Sequence, residues 1–408
     1  MQIHPTFNHR QLYRLPWSLP DNAISWLEPT SACNLACEGC YRENVAKSHK
    51  SLEIIRREVE TFRALRNSDG ISIAGGDPLM HPEIVAIVRM IAELGFKPVI
   101  NTNGGMLTPE LLRELKAAGA VGFTFHIDSK QGRPKWKNKN EVELNELRLF
   151  YAEMLAEVGG LSCAFNSTVY EDTLAHTPEL VEWAAQHIDI VHVMVFILFR
   201  AAVPQLPFEW YAGGRRIDLG VLAYSETKAR KIDLKSTEVV AEIRKRFPEF
   251  TPCAYLNGTE KPDSFKWLLS GRLGSQGKIY GYVGPKFMET IQTMHHLTQG
   301  RYLAYTKPAH TNLGRAMLLL ALIDRGVRSA AGHYLGAVLS NPLRLFKGLH
   351  YQSIMIIQPV DFLPNGLQNM CDGCPDMTLW NGELVWSCRM EELKHFGCWV
   401  RSVPCASA

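Results

Sequence analysis

The chain has 408 residues, 46% of them hydrophobic and 21% charged, with a formal net charge of +3. That balance suits a folded protein with a large core and a smaller second unit, and it is too weakly basic to point to a nucleic-acid partner. Residues 1–14 lack the make-up of a signal peptide, and the apolar runs 191–199 and 316–323 fall short of the roughly 20 residues of a spanning helix, so a cytoplasmic location is expected.

From 24 to 199, short β-rich runs alternate with amphipathic helical stretches, the pattern of successive strand–helix units in a parallel sheet. The strands are expected at 24–27, 70–74, 98–102, 121–127, 161–169 and 190–198. Helices are expected between them, for example at 82–94 and at 52–65, where Leu52, Ile55, Val59, Phe62 and Leu65 recur at helical spacing. Right-handed crossovers curl such units into an α/β fold, a partial (βα)6 TIM-like barrel with its functional groups on the loops after the strands. The stretch 201–305 loses the rhythm and reads as an insertion. The pattern at 313–349 is helical and broken by Gly326, Gly332 and Pro342, 351–359 reads as a strand, and a cysteine-rich tail starts at Cys371. The expected organisation is an N-terminal extension (1–23), a core barrel (24–200), a central insertion and helical region (201–350) and a cysteine-rich unit (351–408).

Ten cysteines in a large chain without a leader, clustered towards its two ends, favour metal ligation over a disulfide framework. Cys33, Cys37 and Cys40 stand in a C-x3-C-x2-C spacing just after the first strand. Three thiolates ligate three irons of a cubane and leave the fourth iron open. Gly75, Gly76, Asp77 and Pro78 close the second strand, and Thr102, Asn103 and Gly104 close the third.

Over about 24–200, this constellation resembles the radical S-adenosylmethionine (radical SAM) superfamily. The resemblance implies a [4Fe–4S] cluster whose open iron is chelated by S-adenosylmethionine, which is cleaved reductively to methionine and a 5′-deoxyadenosyl radical that abstracts hydrogen from substrate. It implies cofactor contacts at Tyr41, Gly75, Gly76, Asp77, Pro78 and Asn103, with Asp128, Ser129 and Asn166 where ribose or carboxylate contacts fall. An external electron donor such as flavodoxin or ferredoxin is also implied. Two departures stand out: Asp77 replaces the commoner Glu, and Gly39 occupies the position before the third cysteine that is often aromatic. His126 is expected to be structural, Cys163 to lie in the core, and the run 130–139, with Arg133, Lys135 and Lys137, to form a solvated loop.

The tail opens as C-x2-C-x13-C with Cys371, Cys374 and Cys388, and Asn381-Gly382 marks a hairpin that returns Cys388 towards the pair. It resembles the auxiliary-cluster unit of the molybdenum-cofactor biosynthesis cyclase, without that enzyme's glycine-glycine end, and implies a second [4Fe–4S] cluster. Cys398 or Cys253 are candidates for a fourth ligand, and a zinc ribbon is the competing reading. In 313–349, Arg315, Arg325, Arg328, Arg344 and Lys347 accompany a lone Asp324 on a greasy background. Such a segment either packs on the barrel flank or makes peripheral membrane contact, and the second option goes with attack on an unactivated C–H bond of a small-molecule, lipid or isoprenoid substrate. The alternatives are modification of a peptide or protein side chain, and a non-catalytic iron–sulfur electron-transfer module.

Overall fold

The computed structural model describes residues 8–203, 206–226 and 231–405; the start of the expected N-terminal extension and the last three residues lie outside these. Six strands lie in parallel and in sequence order: β1 (Ile24–Thr30), β2 (Gly70–Gly75), β3 (Lys97–Thr102), β4 (Gly122–His126), β5 (Ser162–Val169) and β6 (Val193–Leu198). Between them run α1 (Leu52–Leu65), α2 (Ile84–Glu93), α3 (Pro109–Ala117), α4 (Asn145–Val158) and α5 (Thr177–Gln186). The expected α/β order is thus present. Helix α1 shows why: the Ser51 hydroxyl accepts a hydrogen bond from the Ile54 amide at 3.4 Å and caps the first turn, and Ile55, Val59 and Phe62 are buried along one stripe.

The region read as an insertion extends this sheet. Strand β8 (His350–Ile357) pairs in parallel with β6, and β7 (Trp267–Ser275) pairs antiparallel with β8. Ala254–Leu256 adds to β7, and Tyr13–Arg14, from the expected N-terminal extension, pairs in parallel with it. Trp26 of β1 and Trp267 of β7, far apart along the sheet path, line the same cavity, so the sheet is curled. Helix α6 (Pro285–Gln299) leads to Tyr305, whose buried hydroxyl bonds the Ser72 hydroxyl of β2 inside the curl.

Two expectations are corrected. Gly332 lies within α7 (Arg325–Ser340) and breaks nothing, and Gly326 sits in its first turn, where a Cβ would stand 2.4 Å from the Tyr282 carbonyl oxygen. Gly326 lets the helix touch the strand Lys278–Tyr282, which pairs with β7. The 130–139 run is not wholly solvated either: Lys135 and Lys137 are exposed, but Arg133 is buried, because its guanidinium donates to the Asn103 and His126 carbonyls at 2.8 Å and to Gln131 Oε1 at 2.7 Å.

The tail forms its hairpin from Met377–Trp380 and Glu383–Trp386, with Asn381 (φ 50°) and Gly382 (φ 82°) both left-handed as a two-residue turn requires. It is fastened to the barrel by buried donors from the first units. Arg42 Nε donates to Glu28 Oε2 at 2.7 Å, and its Nη2 reaches the Ser387 carbonyl at 2.6 Å. Glu391 stands 3.6 Å from the same guanidinium. Arg66 donates to the Cys374 carbonyl and Asn22 to the Gly373 carbonyl, each at 2.9 Å.

Removing one partner from such a buried set strands the others without compensation. Arg42→Met should therefore lower stability in urea unfolding by about 3–5 kcal/mol, against about 1 kcal/mol or less for an exposed pair such as Arg57–Glu53. A loss no larger than that of the exposed pair would show that the fastening is incidental.

Candidate active site

The loop after β1 carries the first three cysteines, and its backbone is held from several strand ends at once. Gly76 N donates to the Thr30 carbonyl at 2.9 Å and Asp77 N to the Ala32 carbonyl at 2.8 Å. Asn44 closes the loop on itself, accepting from Cys33 N at 3.0 Å and donating to the Cys33 carbonyl at 2.9 Å. Glu38 N donates to the Lys130 carbonyl at 3.0 Å, and the Tyr170 hydroxyl donates to the Glu38 carbonyl at 2.7 Å.

Cys33, Cys37 and Cys40 line one cavity of about 1220 Å³. Burial pushes all three thiols above their usual range, and Cys40 adds to the rise at both Cys33 and Cys37 by charge repulsion. Their sulfurs do not all fall within 4.8 Å of one another. A single zinc, with Zn–S near 2.3 Å, would draw tetrahedral sulfurs to about 3.8 Å. Three thiols lining one cavity fit the three protein ligands of an iron–sulfur cubane, whose irons would offset the charge of the thiolates.

The glycines at the end of β2 serve close packing. A Cβ on Gly75, whose φ is +109°, would stand 2.3 Å from the Thr30 carbonyl oxygen, and one on Gly76 would stand 2.3 Å from that of Ala32. Any side chain there would push the cysteine loop off the strand end. Asp77 is buried and its carboxylate is fully engaged: it accepts from Leu79 N at 2.9 Å, Asn103 N at 2.8 Å and the Thr102 hydroxyl at 2.8 and 2.9 Å. It thereby fixes Asn103, whose amide donates to Asn34 Oδ1 at 2.7 Å and reaches Cys33 Sγ at 3.7 Å. Asp77 acts on the site through Asn103 and the loop.

On the far wall, His126 Nε2 meets Asp128 Oδ2 at 2.9 Å and the Thr168 hydroxyl at 3.0 Å. Burial works to raise the Asp128 carboxyl, but hydrogen bonding and charge at His126 bring it below the usual range. His126 thus faces the cavity instead of being a purely core histidine, whereas Cys163 is buried among apolar side chains as expected. Of the cofactor contacts implied by the resemblance, Tyr41, Gly75, Gly76, Asp77, Asn103, Asp128 and Asn166 line the cavity. Pro78, buried in a helical turn, and Ser129, whose amide donates to Glu141 Oε1 at 2.7 Å, do not.

Cys371, Cys374 and Cys388 line the same cavity from the tail side. Burial pushes the Cys388 thiol up to about 12, and Cys374 is raised chiefly by its hydrogen bond with Cys371. Cys253 is buried in the apolar core, and Cys398 Sγ lies beside Gly213; neither lines the cavity.

Two cavity residues escape sequence reasoning. Phe199, just past β6, presses on Gly39, where a Cβ would lie 2.2 Å from its ring, so this distant aromatic fills the space beside the third cysteine. Asp376 lines the cavity near Cys374; burial pushes its carboxyl up to about 7, with Arg66 opposing the shift. Nothing local marks either one, since each looks like an ordinary residue at an element's end.

A model of the radical SAM superfamily matches residues 27–195. Among curated relatives, the AdoMet-dependent heme synthase of Methanosarcina barkeri is 35% identical over 108 residues, covering 26% of this chain and 30% of that protein. A probable GTP 3',8-cyclase of Saccharolobus solfataricus is 30% identical over 196 residues, covering 46% of this chain and 61% of that protein. The matched stretch spans less than two thirds of either relative. The solved structure of Streptococcus suis SuiB, 16% identical and covering 57% of this chain and 46% of that one, has a TM-score of 0.41, a likeness too slight to bear weight. The matched residues take in most of β1, β2 to β5, the three-cysteine loop and the Gly75–Asp77 and Thr102–Gly104 turns fastened to it, and over this stretch the chain is similar to the radical SAM superfamily.

Proposed function

We propose that this enzyme uses a [4Fe–4S] cluster on Cys33, Cys37 and Cys40 and S-adenosylmethionine to remove hydrogen from an unactivated C–H bond of a lipid or isoprenoid substrate. The observation that carries the reading is a large cavity lined by both cysteine sets and by the apolar side chains of Val99, Phe123, Val195, Leu269 and Met355. Its size exceeds the roughly 300–1000 Å³ of an ordinary ligand site, which leaves room for an apolar substrate beside a cofactor.

Cys33, Cys37 and Cys40 would hold the cluster, which would supply the electron for cleavage of S-adenosylmethionine, drawn from an external donor such as flavodoxin or ferredoxin. The chain's own residues do the positioning. The Gly75–Asp77 turn and Asn103 set the cysteine loop, and Tyr41, Asp128 and Asn166 present polar groups along the cavity wall. The apolar walls exclude water from the reacting centre. We assign Cys371, Cys374 and Cys388 to a second [4Fe–4S] cluster; their C-x2-C-x13-C spacing and the cavity they share with the first cysteine set support the reading.

Three outcomes are expected. Anaerobically reconstituted, reduced protein should form 5′-deoxyadenosine, and replacing Cys33, Cys37 and Cys40 together by Ala should abolish it. Product formation by the triple variant at the parent rate would refute the site, and none from the parent would leave only an electron carrier.

Asp77→Ala should weaken S-adenosylmethionine binding roughly tenfold or more, the loss of a charged hydrogen bond being worth about 1.5–3 kcal/mol, while Asp77→Asn retains part of the affinity. Equal dissociation constants for parent and Ala variant would reduce the turn to a fold element.

Iron and zinc analysis of the same triple-Ala variant isolates the tail site. About four irons with a cluster absorption band support the second cluster, and one zinc with negligible iron refutes it.

A further inference from the structure

The segment after α6 folds as Gly314–Met317, the turn Leu318–Leu322, helix α7 and the turn Pro342–Phe346. Helix α7 buries Val327, Ala330, Tyr334 and Ala337 along one stripe against the barrel, so it does pack on the flank. Its opposite stripe carries Arg328, Leu335 and Leu339 and is uncovered. Arg328 ties that stripe to the preceding turn by donating to the Ala321 and Leu322 carbonyls at 2.9 and 3.0 Å. Arg315 ties Gly314–Met317 to the following turn through the Leu345 and Lys347 carbonyls. The pieces therefore form one continuous face.

That face is unusually apolar for a surface. Among the described residues, six large hydrophobic side chains are at least 70% exposed, and five of them are here: Leu319, Leu322, Leu339, Leu343 and Phe346. Arg315, Arg325, Arg328, Arg344 and Lys347 accompany them. The only acid in this stretch, Asp324, is 1% exposed, and its carboxylate is spent on the Gly284, Phe287 and Val327 amides at 2.8–2.9 Å. Exposed leucines and a phenylalanine with basic groups and no exposed acid match the chemistry of an anionic lipid surface, acyl chains receiving the apolar side chains and phosphates the basic ones. A second copy of the chain fits less well, because a two-fold contact through this face sets basic groups against basic groups. No helix among the described residues is long and apolar enough to cross a bilayer, so the contact is interfacial.

We infer that this face docks the enzyme on an anionic phospholipid membrane. The inference stands on the surface alone and does not require that the substrate be a lipid. It places Met317, which belongs to the docking segment and also lines the cavity, where a molecule partitioned into the bilayer meets the enzyme.

The test is flotation of the full-length protein with vesicles of phosphatidylcholine alone or mixed equally with phosphatidylglycerol, without turnover. Binding is expected only to the mixed vesicles, weakening as salt is raised. The variant Leu322→Ser/Leu339→Ser/Phe346→Ser should lose at least roughly tenfold of that binding, with the parent's unfolding midpoint and yield of 5′-deoxyadenosine. These side chains lie outside the cavity, so that yield separates a failed docking face from a failed active site. Failure of the parent to float with mixed vesicles, or equal flotation of parent and variant, overturns the inference. So does a parent dimer, seen by sedimentation equilibrium, that the variant converts to monomer while neither binds vesicles.

Discussion

The buried Arg42 guanidinium is the tie on which the two halves of the site depend. It follows the third cysteine by two residues, pairs with Glu28 on β1 and reaches the backbone one residue before Cys388. Its charge favours the thiolate at both Cys40 and Cys388, against a larger effect of burial. A charge kept out of water costs several kcal/mol unless its partners are close and oriented. Glu28 on one side and Glu391 on the other meet that requirement only if the loop, the first strand and the tail are all in place. One side chain thus sets the separation of the two thiol sets across the cavity.

The strand ends repeat the theme on a smaller scale. Gly75 and Gly76 let two strand ends touch, Asp77 reaches from the second to the third, and Asn103 passes that position on to Cys33. The residues of the sequence motif act largely on one another, and what they deliver is a loop of fixed shape. Arg133 extends the network by holding the Asn103 and His126 carbonyls together, which is why an arginine in a lysine-rich run is buried.

Much of this was legible because it is written in short-range pattern. The strand–helix alternation gave β1 to β6 and β8 to within about three residues, the cysteine spacing gave the loop, and Asn381-Gly382 gave the tail hairpin. What escaped depends on contacts distant in sequence. Strand β7 is buried along its whole length, yet it carries Arg272, Gly271 and Gly274, which hide any alternation. Arg272 is tolerated because Gln352 Oε1 and the Val181 carbonyl accept from it, and Gly271 because the Tyr351 ring needs the space. Phe199 beside Gly39 and Asp376 near Cys374 belong to the same class. Each is made functional by a partner that sequence order does not bring near.

The fastening of the tail also has a consequence for how the protein is made. Asn22, Arg66 and Arg42 find their acceptors 351, 308 and 345 residues further along. A ribosome adding about 5–20 residues each second finishes β1 to β6 well before those acceptors emerge. Until then, three donors destined for burial remain with water, and the first units wait for the tail. Contacts of such long separation slow the final closure. The tail is translated long after the barrel's first units, yet those units cannot be completed without it, so it cannot be exchanged as an independent module without rebuilding them.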